Sequence, residues 1–333
     1  MEKVVIALDA MGGDYAPEQT VKGAVEAVNS SDEIRVILVG KQDMIAKELE
    51  KYKYAKEDIE VVHASEIIDM GDVPTVAIKD KKDSSLVVAM RLVREGKADA
   101  LVSAGSTGAV LVGGQLVVGR LKGIKRPPLA PFIPTTKGFS LLIDCGANVD
   151  ARPEHLVQFA QMGSIYYENV MGKKNPTVAL LNIGTEEEKG NQLVKDTKPL
   201  MKECKNINYI GSVEARELVS GAADVIVCEA FVGNVVLKFF EGLALTLLGS
   251  LKEGLMSSTR TKLGALLVKP ALKGLKNQFD TSSQGGAPLL GLKGLVVKAH
   301  GNSSSKEIEI ALKQCISFKK QKINEKIKES ICD

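Results

Sequence analysis

Val4-Val5-Ile6-Ala7-Leu8-Asp9-Ala10-Met11-Gly12-Gly13-Asp14 is an apolar run of strand length that stops in a glycine-rich loop. The pattern returns. Leu101-Val102 runs into Ser103-Ala104-Gly105-Ser106-Thr107-Gly108, Leu141-Leu142-Ile143 into Asp144-Cys145-Gly146-Ala147-Asn148, and Ala179-Leu180-Leu181 into Asn182-Ile183-Gly184-Thr185. Val225-Ile226-Val227 leads to a loop reaching Gly233-Asn234, and Leu295-Val296-Val297 to His300-Gly301-Asn302. In a sheet covered on both faces by helices, such loops collect at the carboxyl ends of the strands, where backbone N–H groups and helix N-termini make an anion site. The expected site is an assembly of loops from the whole chain, suited to a phosphate-like group.

Outward from this pattern, apolar runs at Val4–Leu8, Ile34–Val39, Ile59–Val62 and Ala100–Val102 alternate with helical spacings such as Val21, Ala24, Val25, Val28. That alternation indicates parallel strands with crossover helices. Ala130–Ile133 and Phe139–Ile143 are separated only by Pro-Thr-Thr-Lys-Gly, too short for a crossover, so an antiparallel pair is inserted. Further on come a helix from about Pro153, a strand near Thr177–Ile183, a helix from Asn191 interrupted by Pro199, strands near Tyr209 and Val225, and an apolar helix over Val235–Leu248. Ile308, Leu312, Ile316, Ile323 and Ile327 mark core-facing C-terminal helix, with Lys319 and Lys320 on its solvated side. Without a repeat or low-complexity linker, residues 1–333 read as one two-lobed domain with a mixed, mostly parallel sheet, the lobe change falling near the hairpin.

With 333 residues, 44% of them apolar, the chain can bury a large core. A net charge of +3, from 44 basic and 41 acidic residues, argues against a dedicated nucleic-acid binder. Five cysteines scattered without a Cys-x-x-Cys pair indicate neither a disulfide framework nor a zinc site, and fit a reducing cytosol. Met1-Glu2-Lys3 passes directly into a strand-like run, so a cytoplasmic chain without an export leader is expected. Residues 100–119 carry no charge but include five glycines, which favours a buried strand, loop and helix over a membrane span.

Residues 250–276 differ: Lys252, Arg260, Lys262, Lys269, Lys273 and Lys276 stand against one acid, Glu253, among leucines. This basic amphipathic helical hairpin reads either as a face for anionic membrane or as helices packed on the body or in a dimer interface. Arg120-Leu121-Lys122-Gly123-Ile124-Lys125-Arg126 reads as a solvated basic loop or as a dock for an acidic partner protein.

Chemistry-bearing residues sit in the strand-end loops. In Gly184-Thr185-Glu186-Glu187-Glu188-Lys189-Gly190-Asn191, Lys189 offers a point charge to phosphate or a developing oxyanion, or else belongs to a solvated charge run. Asn234 either caps the following helix or donates its amide to a carbonyl oxygen. Ser103, Gly105, Ser106 and Thr107 suit a phosphate loop, although helix capping alone accounts for them nearly as well. His300 lies in a strand-terminal loop, with a structural hydrogen bond as the competing reading. No Gly-x-x-x-x-Gly-Lys-Ser/Thr loop and no clean Gly-x-Gly-x-x-Gly follows the first strand, and the histidines at 63, 155 and 300 suggest no metal cluster.

Together the motifs at Ile6–Asp14, Ser103–Gly108, Asp144–Asn148, Asn182–Asn191, Cys228–Val235 and Gly285–Gly301 resemble the bacterial phosphate acyltransferase family, that is, acyl-carrier-protein:phosphate acyltransferases. Two departures are Glu229-Ala230 in place of an expected Asp-Gly, and Asn302. The resemblance implies an isocitrate and isopropylmalate dehydrogenase-like α/β/α fold, a homodimer, and transfer of a fatty acyl group from acyl carrier protein to inorganic phosphate. The acyl phosphate would supply a membrane glycerol-3-phosphate acyltransferase in phospholipid synthesis. No metal or other cofactor follows. Lys189 and Asn234 match the family positions expected in catalysis, with His300 as a proton donor to the leaving thiolate. Gly12, Gly13, Asp14, Ser103, Gly105, Ser106, Thr107, Asn148, Gly184 and Thr185 are the expected phosphate-binding set. A dehydrogenase of the same fold fits less well, since the eight arginines are scattered and no Asp-x-x-x-Asp metal site is evident. A short-chain acyl-coenzyme A phosphotransacylase and a non-catalytic membrane scaffold are the remaining alternatives.

Overall fold

The computed structural model describes residues 3–278 and 285–331, with backbone alone for 275–278. Eleven strands are described: β1 (Val4–Asp9), β2 (Ile34–Gly40), β3 (Ile59–His63), β4 (Ala100–Ser103), β5 (Phe132–Thr135), β6 (Gly138–Ile143), β7 (Thr177–Asn182), β8 (Asn208–Glu214), β9 (Val225–Val227), β10 (Ala287–Leu289) and β11 (Leu295–Lys298). They form two sheets, ordered β10-β11-β4-β1-β2-β3 and β5-β6-β9-β7-β8. All neighbours are parallel except β10–β11 and β5–β6. The fold is thus α/β with mixed, mostly parallel sheets, and the hairpin is the antiparallel pair expected from its short turn. Two sheets replace the single sheet read from sequence. The second begins at β5, an edge strand that carries Pro134, a residue without the N–H that a second neighbour would need.

The chain divides into two compact units. Unit 1 comprises residues 1–131, 161–175 and 282–333, and unit 2 residues 132–160 and 176–281.

In unit 1, Ile6, Ala7 and Leu8 of β1 are all fully buried. Successive strand side chains point to opposite faces, so both faces of the sheet are covered there. The helix Ser85–Arg94 packs on β1, β2 and β4, and the helix Ser305–Lys320 on β1, β4 and β11. The latter lies along the helix Glu18–Asn29, which buries Val21, Ala24, Val25 and Val28 at the spacing read from sequence. A Cβ at Gly23 would stand 2.7 Å from Ile308 Cβ, so glycine permits the close approach of this helix pair.

Unit 2 builds its core from Leu142, Ala179, Leu181, Ile226 and Leu237, drawn from β6, β7, β9 and the helix Ala230–Met256. Three local expectations are corrected here. The helix Gln192–Glu203 runs through Pro199 instead of breaking at it. The apolar helix starts at Ala230, not Val235, because the Glu229 carboxylate accepts from the N–H groups of Phe231 and Val232 and thereby caps it. That helix then continues unbroken to Met256, so the basic hairpin turns at Ser257–Ser258 and returns along the helix Thr259–Gln278. Most of its apolar side chains stay exposed, including Leu245 at 73% and Leu267 at 83%. Side chains of Leu275 and Lys276 lie outside the described residues.

Candidate active site

The six strand-end loops separate into two sets of three. In unit 1 they follow β11, β4 and β1, which are consecutive in the sheet and parallel. Their carboxyl ends coincide, so the loops meet. The Asp14 N–H donates to the Gly301 carbonyl (2.7 Å), and the Ala299 N–H to the Ser103 carbonyl (2.9 Å).

Beneath these loops lies Asp9, 2% exposed, accepting from Ser85 Oγ (2.6 Å) and Ser103 Oγ (2.7 Å). Burial pushes its carboxyl above the usual aspartate range, against the pull of both serine hydroxyls and of the nearby Lys298 ammonium. Ser103 Oγ in turn accepts from the Gly105 N–H at 3.1 Å. The loops press so closely that a Cβ at Gly12 would fall 2.4 Å from Asp9 Oδ2 and 2.8 Å from the Gly105 nitrogen. Gly13 has φ +107° and lies against the Gly301 carbonyl.

Gly12, Gly13, Asp14, Ser103 and Gly105 are therefore brought together in one loop cluster. Ser103 is fully buried and its hydroxyl proton is committed to Asp9, which makes it a brace for the loop. Ser106 is the N-cap of the helix Thr107–Gly113, accepting from the Ala109 N–H, and Thr107 is that helix's first residue. His300 is exposed, and its carbonyl accepts from the Ser303 N–H.

In unit 2 the loops follow β6, β9 and β7, again consecutive and parallel. Asp144, fully buried, ties the first loop together: its carboxylate accepts from the Asn148 N–H (2.8 Å), the Asn148 side-chain amide (2.7 Å) and the Ala147 N–H (3.2 Å). The second loop joins the first through the Ala230 N–H, which donates to the Asn148 carbonyl at 3.2 Å. At Gly233 a Cβ would fall 1.9 Å from the Asp144 carbonyl oxygen, so no other residue fits this crossing. Asn234, the next residue, is exposed, and a Cβ at Gly146 would lie 3.8 Å from its side chain. With Glu229 as the cap, Asn234 sits in the first turns of the helix and its amide is not the capping group. The cap reading of Asn234 is thus overturned.

The third loop carries Lys189, whose side chain is exposed and whose N–H donates to the Glu186 carbonyl at 3.2 Å. Its chain passes beside Gly184, where a Cβ would be 3.0 Å from Lys189 Cγ. Thr185 is exposed in the same loop. Asn182 spans it, donating to the carbonyls of Gly184 (2.9 Å) and Lys189 (3.1 Å), and Asn191 caps the next helix by accepting from the Val194 N–H (2.9 Å). Burial pushes the Cys145 and Cys228 thiols well above their usual range, with Asp144 as a further cause at each. Both stay protonated and suit no nucleophilic role.

Sequence reasoning left Asp9, Asp144, Lys198 and Lys298 without roles. Each is a charged residue with less than a tenth of its surface exposed, supporting a loop from below. Lys198 had a readable signal: it lies four residues after Val194 and three before Met201, a charged side chain on the apolar stripe of its helix.

Two sets of strand-end loops, one presenting an exposed ammonium and amide beside helix N-termini, define an α/β protein whose strand ends offer the groups that can hold an anion. The match to the family of fatty acid synthesis proteins extends over residues 4–326, and the chain belongs to that family. It is 54% identical over 326 residues to the phosphate acyltransferase of Alkaliphilus oremlandii (98% of this chain, 97% of that one) and 50% identical over 324 residues to that of Clostridium acetobutylicum (97% and 98%). Among solved structures, a phosphotransacetylase from Streptococcus pyogenes superposes with a TM-score of 0.66 at 17% identity, covering 94% of this chain and 93% of its own. A 4-hydroxythreonine-4-phosphate dehydrogenase from Burkholderia phymatum gives 0.50 at 12% identity, covering 95% and 98%. These two likenesses concern the fold.

Proposed function

We propose that the chain is an acyltransferase that moves a fatty acyl group from acyl carrier protein to inorganic phosphate, releasing acyl phosphate and the carrier thiol. Membership in a family of phosphate acyltransferases supports the reaction class. The observation that carries the site assignment is in unit 2, where adjacent parallel strands deliver Lys189 and Asn234, both exposed, from loops whose backbones are pinned by buried groups.

A phosphate oxygen is already nucleophilic at neutral pH, so the reaction needs orientation and charge stabilisation more than a strong base. In this reading the Lys189 ammonium holds phosphate or the tetrahedral oxyanion, and the Asn234 amide donates to the thioester carbonyl oxygen. Attack forms the phosphate–carbonyl bond, and collapse expels the thiolate, which takes a proton from water. Asn148, Gly184 and Thr185 complete the phosphate-binding set of unit 2, and in unit 1 the loops with Gly12, Gly13, Asp14, Gly105, Ser106 and Thr107, braced by Ser103, form a candidate anion set of their own. No metal or other cofactor enters the scheme.

The same reading has a cytoplasmic homodimer that passes acyl phosphate to a membrane glycerol-3-phosphate acyltransferase. The helix Ala230–Met256 is long and apolar enough to cross a membrane, and 11% of its most apolar window is buried. With the basic helix that follows, it supports peripheral contact with anionic membrane through residues 250–276. Lys262, Lys269 and Lys273 changed together to Glu are expected to weaken sedimentation with anionic vesicles, more at low salt than at high.

The deciding experiment mixes the protein with long-chain acyl carrier protein and follows the thioester with and without phosphate. Phosphate-dependent loss of thioester with formation of acyl phosphate is expected. Loss of thioester only from short acyl-coenzyme A would move the assignment to a phosphotransacylase, and no loss from either would remove it.

A further inference from the structure

An ammonium group has three N–H donors, and at Lys198 all three are spoken for by one loop. Nζ donates to the carbonyls of Glu186 (3.0 Å), Glu187 (2.8 Å) and Lys189 (3.0 Å), while the residue is 3% exposed. The neighbouring carboxylates are not its partners in these bonds. Glu186 and Glu187 are exposed; the Glu186 carboxylate lies against Gly184, and Glu187 pairs with Lys202 at 2.8 Å.

A buried charge that binds only carbonyl dipoles is costly to retain, so its placement calls for a return elsewhere. Here the return is geometric. Three carbonyls within four residues converge on one point, an arrangement they would not hold against their mutual repulsion without a cation between them. The Asn182 amide adds a second bond to the Lys189 carbonyl (3.1 Å), and Gly190, at φ +120°, fits between Asn182 and Val194. Thr197 and Met201, both fully buried, anchor the helix that carries Lys198.

We infer that Lys198 is a positioning residue: its ammonium is the template on which the 186–189 turn is folded, so that the exposed Lys189 side chain leaves from a fixed backbone. The inference rests on the reading of Lys189 as the group that meets phosphate or the oxyanion. Preorganised charge is effective because it needs no rearrangement during reaction, and a displacement near 1 Å can cost about a hundredfold in rate.

The test uses phosphate-dependent loss of hexadecanoyl thioester from acyl carrier protein, comparing Lys189→Ala, Lys198→Ala and the double variant. Lys198→Ala is expected to lower kcat by about 10- to 100-fold and leave the thioester KM little changed. If Lys198 acts through Lys189, the double variant is no slower than Lys189→Ala alone. Removal of the side chain opens a space lined by three carbonyls, so methylammonium, which has N–H donors, is expected to restore turnover while tetramethylammonium is not. Full activity in Lys198→Ala, equal response to both ammonium salts, or additive losses in the double variant would each overturn the inference.

Should Lys198→Ala not fold, Lys198→Gln, with two N–H donors, decides by amide exchange. Faster exchange confined to residues 184–191, together with a fall in kcat, supports the template, and unchanged exchange there refutes it. Full activity in Lys189→Ala would instead remove the reading beneath the inference, an outcome separate from any result at position 198.

Discussion

The two loop sets have the same ancestry in the chain, three parallel strands ending in glycine-rich turns, yet they are finished differently. In unit 1 the loops close over a buried carboxylate, and Ser103 turns inward to Asp9. In unit 2, as in unit 1 with Lys298, an ammonium is buried as well as a carboxylate, but the loops turn Lys189 and Asn234 outward. A glycine-rich strand end is therefore a frame. What it presents depends on which side chains are tied to the buried groups beneath it and which are left over.

If that contrast is right, the largest effects on turnover belong to unit 2. Lys189→Ala is expected to cut the rate at least about a hundredfold, the scale of one lost preorganised oxyanion donor, with an unchanged melting temperature. Asn234→Ala is expected to cost a comparable factor without loss of stability, because Glu229 supplies the cap and alanine favours helix interiors. Near-normal activity in either folded variant would break the comparison.

Gly233→Ala and Gly12→Ala test the closeness of packing in the two sets. A Cβ at Gly233 would lie 1.9 Å from backbone, and one at Gly12 2.4 Å from a carboxylate oxygen. Both should melt earlier, Gly233→Ala the more so since backbone yields least, and overpacking of this kind costs about 1–3 kcal/mol or more. Equal melting temperatures to wild type would show that the loops relax freely.

Ser103→Ala is expected to destabilise by about 1–2 kcal/mol, since it removes one donor from a buried acceptor, and to affect rate only through the loop. A loss of turnover as large as that of Lys189→Ala, at unchanged stability, would place Ser103 among the groups that touch phosphate.

The smallest effect is a pH slope. Asp9 has a raised carboxyl pKa in the folded protein, so the folded state binds a proton that the unfolded state has released at the same pH. Its contribution to stability therefore falls as pH rises from the unfolded value of 3.8 through the folded value, and stays constant above it. Melting curves of Asp9→Asn against wild type should diverge across that window, with the variant relatively more stable at the upper end. A constant difference would mean that the site does not titrate.

Much of the architecture was legible because it is written locally. Runs such as Val4–Leu8 and Ile34–Val39 are strands, Val21, Ala24, Val25 and Val28 face a core, and the short turn before Phe139 forces an antiparallel pair. The loops that frame the candidate site were equally visible, since glycine and small polar residues after an apolar run mark a strand end. Harder to read were the helix limits. Pro199 looked like a break, and Asn234 like a cap, because those are their commonest local roles. The competing partner, the Glu229 carboxylate reaching two N–H groups, won at the second.

By itself, then, the sequence determined that this is an α/β chain with six strand-end loops and which residues those loops carry. Only the tertiary structure decided how the loops are shared out. Strand order sets β11, β4 and β1 side by side in one sheet and β6, β9 and β7 in another, and neighbours in a parallel sheet are far apart in sequence. The supports also come from other elements: Asp9 is braced by Ser85 and Ser103, 76 and 94 residues away, and Lys198 reaches back from its helix to three carbonyls of the preceding turn. Periodicity encodes which face of an element is buried, but not which buried atoms on other elements will meet it, and that meeting is what orients Lys189.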